Sequence, residues 1–83
     1  MSKLKLDLHP IYNKSDLIDK SLNDYVNEAY ENRIDELEII CGKGSGQLKK
    51  RVLRFLDQKE TRKKYHRYKK DAKNWGRIFV YFK

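Results

Sequence analysis

The chain has 83 residues, a length that fits one compact domain over 1–83 and excludes a multidomain enzyme. No apolar stretch approaches the roughly 20 residues of a membrane-spanning helix, so we expect no transmembrane segment and no signal peptide. The single cysteine, Cys41, excludes an internal disulfide and indicates a reducing, cytoplasmic setting.

The positive charge, +8 in total, is concentrated in the second half of the chain. Residues 14–38 carry three basic and eight acidic side chains (−5), whereas residues 47–73 carry twelve basic and three acidic ones (+9). Tyrosines are interleaved with basic residues over 62–70, which favours nucleic acid as an anionic partner. A solvated, charged surface is the simpler alternative on composition alone. A membrane surface is disfavoured because this run does not lie on a clear amphipathic helix.

Apolar periodicity predicts four strands and two helices in the order β-α-β-α-β-β. Leucines at every second position indicate a first strand over 3–9, which Pro10 ends. Apolar residues at three- and four-residue steps then indicate a helix that ends near Arg33. The elements predicted to follow are a buried strand over 37–41, a helix from 48 to about 58, a strand over 64–70, a turn over 71–76 and a last strand over 78–82.

This order predicts an α/β fold of two layers. A strand–helix–strand unit requires parallel pairing with a right-handed crossover. The last two strands are close in sequence, so we expect them to pair as an antiparallel hairpin. The expected result is a mixed four-stranded sheet with both helices packed on one face.

Two polar features are expected at one edge of that sheet. Asp7 and His9 lie on the same face near the carboxyl end of the first strand, and the loop 42–46 follows the second strand. Parallel strands end at the same edge, which is where open α/β sheets bind ligands. An acid and an imidazole can position water or relay a proton, or contribute to a divalent-ion site. An exposed polar sheet face is the alternative.

The glycine-rich loop has the composition of an anion-binding turn. Gly42, Gly44 and Gly46 permit positive φ and a close approach of backbone amides to a ligand, and Lys43 adds a positive charge. The loop lacks the Gly-Lys-Ser/Thr ending of a nucleotide-triphosphate loop. A tight strand-to-helix turn without a ligand is an equally good interpretation.

The first strand and the glycine loop also carry two recognisable motifs. The chain opens with Leu6-Asp7-Leu8-His9, and residues 39–48 read Ile-Ile-Cys-Gly-Lys-Gly-Ser-Gly-Gln-Leu. The pair resembles the Smr (small MutS-related) domain, whose motifs are Leu-Asp-Leu-His-Gly and His-Gly-x-Gly-x-Gly followed by a basic helix. The resemblance covers nearly the whole chain. It implies a two-layer sandwich similar to the C-terminal domain of bacterial translation initiation factor three.

The resemblance implies a nucleic-acid-binding domain, often an endonuclease that cuts DNA or RNA. Asp7 and His9 match the family's catalytic pair, and Mg²⁺ or Mn²⁺ is the candidate ion. The partner is then DNA or RNA recognised by structure rather than by sequence, with the ribosome or a parent MutS-like protein as further candidates. The residues expected to contact phosphates are Gly42, Lys43, Gly44, Ser45, Gly46, Lys49, Lys50, Arg51, Arg54, Lys63, Lys64, Arg67 and Lys69.

Three positions depart from the family's pattern. Pro10 replaces the glycine after the first-motif histidine, and Trp75-Gly76 replaces a double glycine before the last strand. Cys41 replaces a frequent second-motif histidine; we expect a small buried residue, with a nucleophilic pair with His9 as the less favoured alternative. The chain is either a complete standalone member or a domain excised from a larger protein.

Two other functions remain open. A non-catalytic DNA- or RNA-binding module is favoured by Cys41 and by the basic segment 62–70. A protein-interaction domain would instead dock a basic partner on the acidic face of the first helix, at Asp24, Glu28 and Glu31.

Overall fold

A computed structural model describes residues 2–11, 13–42, 46–70 and 76–82 of the chain. The elements in chain order are β1 (Lys3–Asp7), a 3-10 turn (His9–Ile11), α1 (Ser15–Glu31), β2 (Glu36–Ile40), α2 (Gln47–Leu56), α3 (Lys59–Arg62), β3 (Arg67–Lys70) and β4 (Arg77–Tyr81). The predicted succession of strands and long helices is confirmed, with the short α3 as an addition.

The four strands form one mixed sheet in the spatial order β1-β2-β4-β3. β1 and β2 are parallel, with Leu4 opposite Leu37 and Leu6 opposite Ile39. β4 pairs antiparallel with both β2 and β3. The expected parallel crossover and the antiparallel final hairpin are therefore both present.

The hydrophobic core lies between the sheet and the two long helices. Strand side chains alternate between the two faces of a sheet, so one set of alternate residues points to the helices. The core contains Leu6 and Leu8 from the first strand and its exit, Leu37 and Ile39 from β2, Ile78 and Val80 from β4, Ile18, Leu22 and Val26 from α1, and Val52 and Leu56 from α2. Both helices thus contribute to one core on one face of the sheet, as expected. Among the described residues, no helix combines the length and apolarity needed to cross a bilayer.

The element boundaries differ from the sequence prediction in three places. β1 ends at Asp7, because His9 and Pro10 enter the 3-10 turn. β3 begins at Arg67 rather than at 64, because α3 and a turn occupy the preceding residues. Apolar periodicity could not indicate α3, since Thr61 is its one buried residue. The predicted turn over 71–75, with Trp75, lies outside the described residues.

Glu38 is a buried carboxylate on the sheet face opposite the helices. Its side chain is 4% exposed and accepts hydrogen bonds from Lys3 Nζ (2.9 Å) and Arg77 Nη1 (2.9 Å). The hydrogen bond from Lys3, together with the positive charge of Arg77, holds the pKa of Glu38 below its ordinary value. This carboxylate therefore connects the outer strand β1 to β4 across the central strand β2.

We expect Glu38→Gln to lower the free energy of unfolding at pH 7 by about 1–2 kcal/mol, because it removes the charge from two hydrogen bonds. Folding favours the ionised carboxylate, so its contribution is present above the unfolded pKa and disappears as pH falls through the lower folded value. Urea unfolding at neutral and acidic pH should show the difference between variant and wild type vanish in acid. Glu36→Gln is the matched control, since Glu36 is more exposed and lies 3.3 Å from Lys3. An equal loss of unfolding free energy in both variants would contradict the stabilising role assigned to Glu38.

Candidate functional site

Asp7 and His9 are held together by a local turn at the end of β1. The Asp7 carboxylate Oδ1 accepts the backbone N–H of His9 at 2.9 Å, an Asx-type turn that ends the strand. Both side chains are exposed. Pro10 follows inside the 3-10 turn, where a fixed φ suits the backbone. The turn leaves the carboxylate and the imidazole on one accessible corner of the domain.

The second motif meets this corner through Gly42. The N–H of Leu8 donates to the Ile40 carbonyl (3.0 Å), which keeps the chain beyond β1 alongside the end of β2. The His9 ring lies against Gly42, since a Cβ placed on Gly42 would be 3.1 Å from His9 Cδ2. Gly42 also has a φ of +81°, which other residues adopt at a cost. The structure thus brings the predicted Asp7, His9 and Gly42 to one edge of the sheet.

Gly76, just before β4, closes the same edge from the other side. Its carbonyl accepts the N–H groups of Cys41 (2.6 Å) and Gly42 (3.2 Å). The Gly42 amide is therefore engaged within the fold, and its predicted part in an anion-binding concavity stays a prediction. Gly42 also provides room for the His9 ring.

The rest of the glycine loop leads into the start of α2. Lys43, Gly44 and Ser45 lie outside the described residues. Gly46 adopts a left-handed conformation (φ +85°) at the N-cap of α2, and its carbonyl accepts the Lys50 N–H at 3.0 Å. Within the part of the chain that the structure describes, no side chain caps this helix end. Amides of a first helical turn point outwards and favour anions, so α2 begins as an electropositive element after the loop.

The predicted basic residues separate into three groups in the structure. Lys49, Lys50 and Arg54 are on α2 with Arg51, but Arg51 makes a two-pronged pair with Asp19 of α1 (2.9 and 3.1 Å). In this structure Arg51 links the two long helices, and its predicted phosphate contact stays a prediction. Lys50 and Arg54 are exposed beside it.

The second group follows α3. Lys64 Nζ donates to the Asn27 side chain of α1, so it too connects elements of the helix layer. Lys63 is exposed. The third group, Arg67 and Lys69, lies on the opposite face of the sheet, since β3 places its intervening residue Tyr68 against the core. One rigid ligand on α2 cannot reach that face without passing around the edge of the sheet.

The tyrosines of segment 62–70 belong to the helix side of the sheet. Tyr65 donates its hydroxyl to the Leu56 carbonyl (2.6 Å) and meets Tyr68 edge-on, with ring centroids 6.1 Å apart. Burial raises the pKa of Tyr65. Both rings pack against the core, so they stabilise the fold rather than present surfaces for stacking. Among the described strand residues, the aromatic side chains that face away from the core are Phe79 and Tyr81 of β4. Their alternation with the buried Ile78 and Val80 could have indicated this orientation.

Cys41 is a core residue, as the sequence suggested. Its side chain is 5% exposed and belongs to the same apolar cluster as Ile39. Burial raises the pKa of the Cys41 thiol to about 11, so the thiol stays protonated at neutral pH. Its burial and its raised pKa therefore favour the core role of Cys41 over a nucleophilic pair with His9.

The described residues at this edge provide few ligands for a divalent ion. Within the described residues, no group of three or more His, Cys, Asp or Glu side chains could hold a metal. Asp7 and His9 supply two potential ligands, fewer than a protein-made Mg²⁺ or Mn²⁺ site needs.

The sheet order and this polar edge define the class of the protein, a small two-layer α/β domain with a basic helix beside the carboxyl ends of its parallel strands. The chain belongs to the Smr domain family, whose sequence model matches residues 6–83. The family comprises nucleic-acid-binding modules, with nicking activity among them. MutS2 is a protein that contains this domain.

A solved structure supports the same fold. The crystal structure of the Smr domain of Thermus thermophilus MutS2 is similar to this chain with a TM-score of 0.73 and 15% sequence identity. The match covers 100% of this chain and 99% of the other. At that identity the similarity establishes the fold alone. No curated protein matched the chain.

Proposed function

We propose that the chain binds DNA or RNA at the edge formed by Asp7, His9 and the loop 42–46, and nicks a phosphodiester there. The observation that carries the proposal is the contact between the two motifs. The His9 ring lies against Gly42, while Asp7 accepts the His9 amide. An acid and an imidazole are thereby held next to the loop that leads to the N-terminus of α2.

The proposed reaction is attack of water on phosphorus. His9 takes a proton from the water, the new P–O bond forms, and the bond to the leaving sugar oxygen breaks. The leaving oxygen then receives a proton, from the imidazolium or from solvent. Asp7 fixes the His9 backbone by accepting its N–H, and the exposed Asp7 carboxylate at the same corner positions the attacking water.

The phosphate would be held by positive groups on the loop and on α2. Lys43 and the first-turn amides of α2 supply charge and hydrogen-bond donors for the reacting phosphate. Lys49, Lys50 and Arg54 would bind phosphates on either side. Because such contacts release counterions, affinity should fall steeply with salt. The ribosome and a parent MutS-like protein are partners consistent with this role, in a cytoplasmic setting.

A second candidate is a binding module without catalysis. Cys41 stands where the family often has histidine, and its neutral thiol is part of the core. The edge therefore has one imidazole, from His9, among the described residues. Binding in this case would depend on α2 and persist without Asp7 and His9.

The two candidates differ in one assay. Supercoiled plasmid and a structured RNA are incubated with the domain, with Mg²⁺ or Mn²⁺ present or chelated, and with an Asp7→Ala/His9→Ala variant as control for contaminating nuclease. Cleavage by wild type alone supports a nuclease and shows the preferred polymer. A salt-sensitive mobility shift without cleavage favours the binding module. Absence of both would refute the proposal.

A further inference from the structure

The sheet face opposite the helices carries polar and aromatic side chains from all four strands. Register places them in two rows across the sheet, Lys3–Glu36–Tyr81–Arg67 and Lys5–Glu38–Phe79–Lys69. Both long helices pack on the other face, so we call this one the open face. Its lysines and Arg67 are exposed, and both aromatic rings are half-buried.

The two halves of the open face differ in charge. On the β1–β2 half, the lysines alternate with acids, and Lys3 bridges Glu36 and Glu38 at 3.3 and 2.9 Å. On the β3–β4 half the outward residues that the structure describes are Arg67, Lys69, Arg77, Phe79 and Tyr81, and no acid is among them. Arg77 pairs with Glu38, whereas no ion pair among the described residues involves Arg67 or Lys69. The β3–β4 half is therefore positive and aromatic.

The two rings present their faces to cations rather than to the core. The Arg67 guanidinium lies over the Tyr81 ring at 4.9 Å, and Lys3 Nζ lies over the Phe79 ring at 5.4 Å. These long side chains are exposed and can move aside or stack on an incoming base. Phe79 and Tyr81 are two residues apart on one strand, so their Cα atoms are about 6.8 Å apart along it. They form two adjacent stacking surfaces bordered by basic side chains.

We propose that the β3–β4 half of the open face binds single-stranded nucleic acid, with bases stacked on Phe79 and Tyr81 and phosphates near Arg67 and Lys69. Four-stranded sheets with exposed aromatics bind unpaired bases in this way, and stacking tolerates any base. The inference rests on the proposed function in that nucleic acid is the partner in both. The surface is separate from the nicking edge and from α2, so a strand held there would be kept beside the site rather than in it.

Binding of short fluorescein-labelled oligouridine and oligothymidine, followed by anisotropy, tests the inference. Phe79→Leu and Tyr81→Leu keep apolar bulk but remove the ring, and each should weaken binding by about fivefold or more. Arg67→Gln and Lys69→Gln should each reduce the slope of log affinity against log salt by about 0.7. Tyr30→Leu and Lys20→Gln are the matched controls, because both residues are exposed on α1. Thermal unfolding verifies that each variant is folded.

The outcomes also separate this surface from the nicking edge. The leucine variants should still nick the preferred polymer, and amide NMR shifts on adding oligouridine should fall on β3 and β4. Wild-type affinity in the leucine variants would overturn the inference, as would shifts confined to α2 or loss of equal size in the α1 controls. A simple polyanion could also displace the oligonucleotide as well as unlabelled oligonucleotide does, while removal of the rings has no effect. That result would show that charge attraction alone causes binding, and it would overturn the inference. If the Asp7→Ala/His9→Ala variant loses nicking in any of these cases, the proposed function is still supported.

Discussion

Replacing Gly76 with alanine is expected to lower the free energy of unfolding by about 2–3 kcal/mol, the cost of forcing an extra methyl group into a packed region. A Cβ at this position would lie 2.8 Å from the Gly42 carbonyl oxygen and 2.9 Å from its carbonyl carbon. Both are backbone atoms, and the Gly76 carbonyl is itself bonded to the amides of Cys41 and Gly42. Relief would require β2 and β4 to separate at the site edge. Urea unfolding measures the loss, which corresponds to a fall in melting temperature of about 10–20 °C for a domain of this size.

Gly46→Ala is the matched control for this prediction. Gly46 has a φ of +85°, but a Cβ there would meet no atom of the described residues within 4 Å. Gly46→Ala should lower the free energy of unfolding by about 1 kcal/mol, the cost of placing alanine in a left-handed conformation. If both variants lost the same stability, the close approach of Gly76 to Gly42 would not be the cause.

The sheet could be predicted because its strands alternate clearly. Leu4 and Leu6 in β1, and Ile78 and Val80 in β4, repeat at the two-residue period that places them in the core. The crossover rule predicts the parallel pairing of β1 and β2, and that pairing places Asp7 near the end of β2. Local pattern and topology were enough for the architecture and for one edge of the candidate site.

The parts that could not be predicted depend on contacts between residues distant in sequence. The Arg51–Asp19 pair spans 32 positions and links the two long helices. The carbonyl of Gly76 accepts the Gly42 amide. Tyr65 packs on the helix side of the sheet, where its hydroxyl donates to the Leu56 carbonyl of α2. Periodicity in the sequence carries no signal for such partners, so it could not show which polar and aromatic groups have partners within the fold.

Asp7→Asn and His9→Gln are each expected to reduce nicking by about 10²–10⁴-fold while leaving nucleic-acid affinity and melting temperature unchanged, because His9 accepts the proton of the attacking water and the Asp7 carboxylate positions that water. Asparagine keeps the Oδ1 that accepts the His9 N–H, so the turn after β1 survives. Both side chains are exposed, so a loss of nicking in these variants could not be attributed to a loss of folding. Initial nicking rates at saturating substrate, with binding measured separately by mobility shift, give the two quantities.

Lys50→Gln provides the contrast that assigns the roles. Removing a residue that only binds phosphate should raise KM and reduce the salt dependence of binding, with kcat little changed. Full activity in Asp7→Asn, with loss in Asp7→Ala, would show that the carboxylate shapes the turn and that its charge is not used. Full activity in His9→Gln would refute the proposed site, because the described part of the edge then has no other imidazole to accept the proton. If Asp7→Asn and His9→Gln fail in nicking and Lys50→Gln fails in binding, cleavage belongs to the end of β1 and affinity to α2.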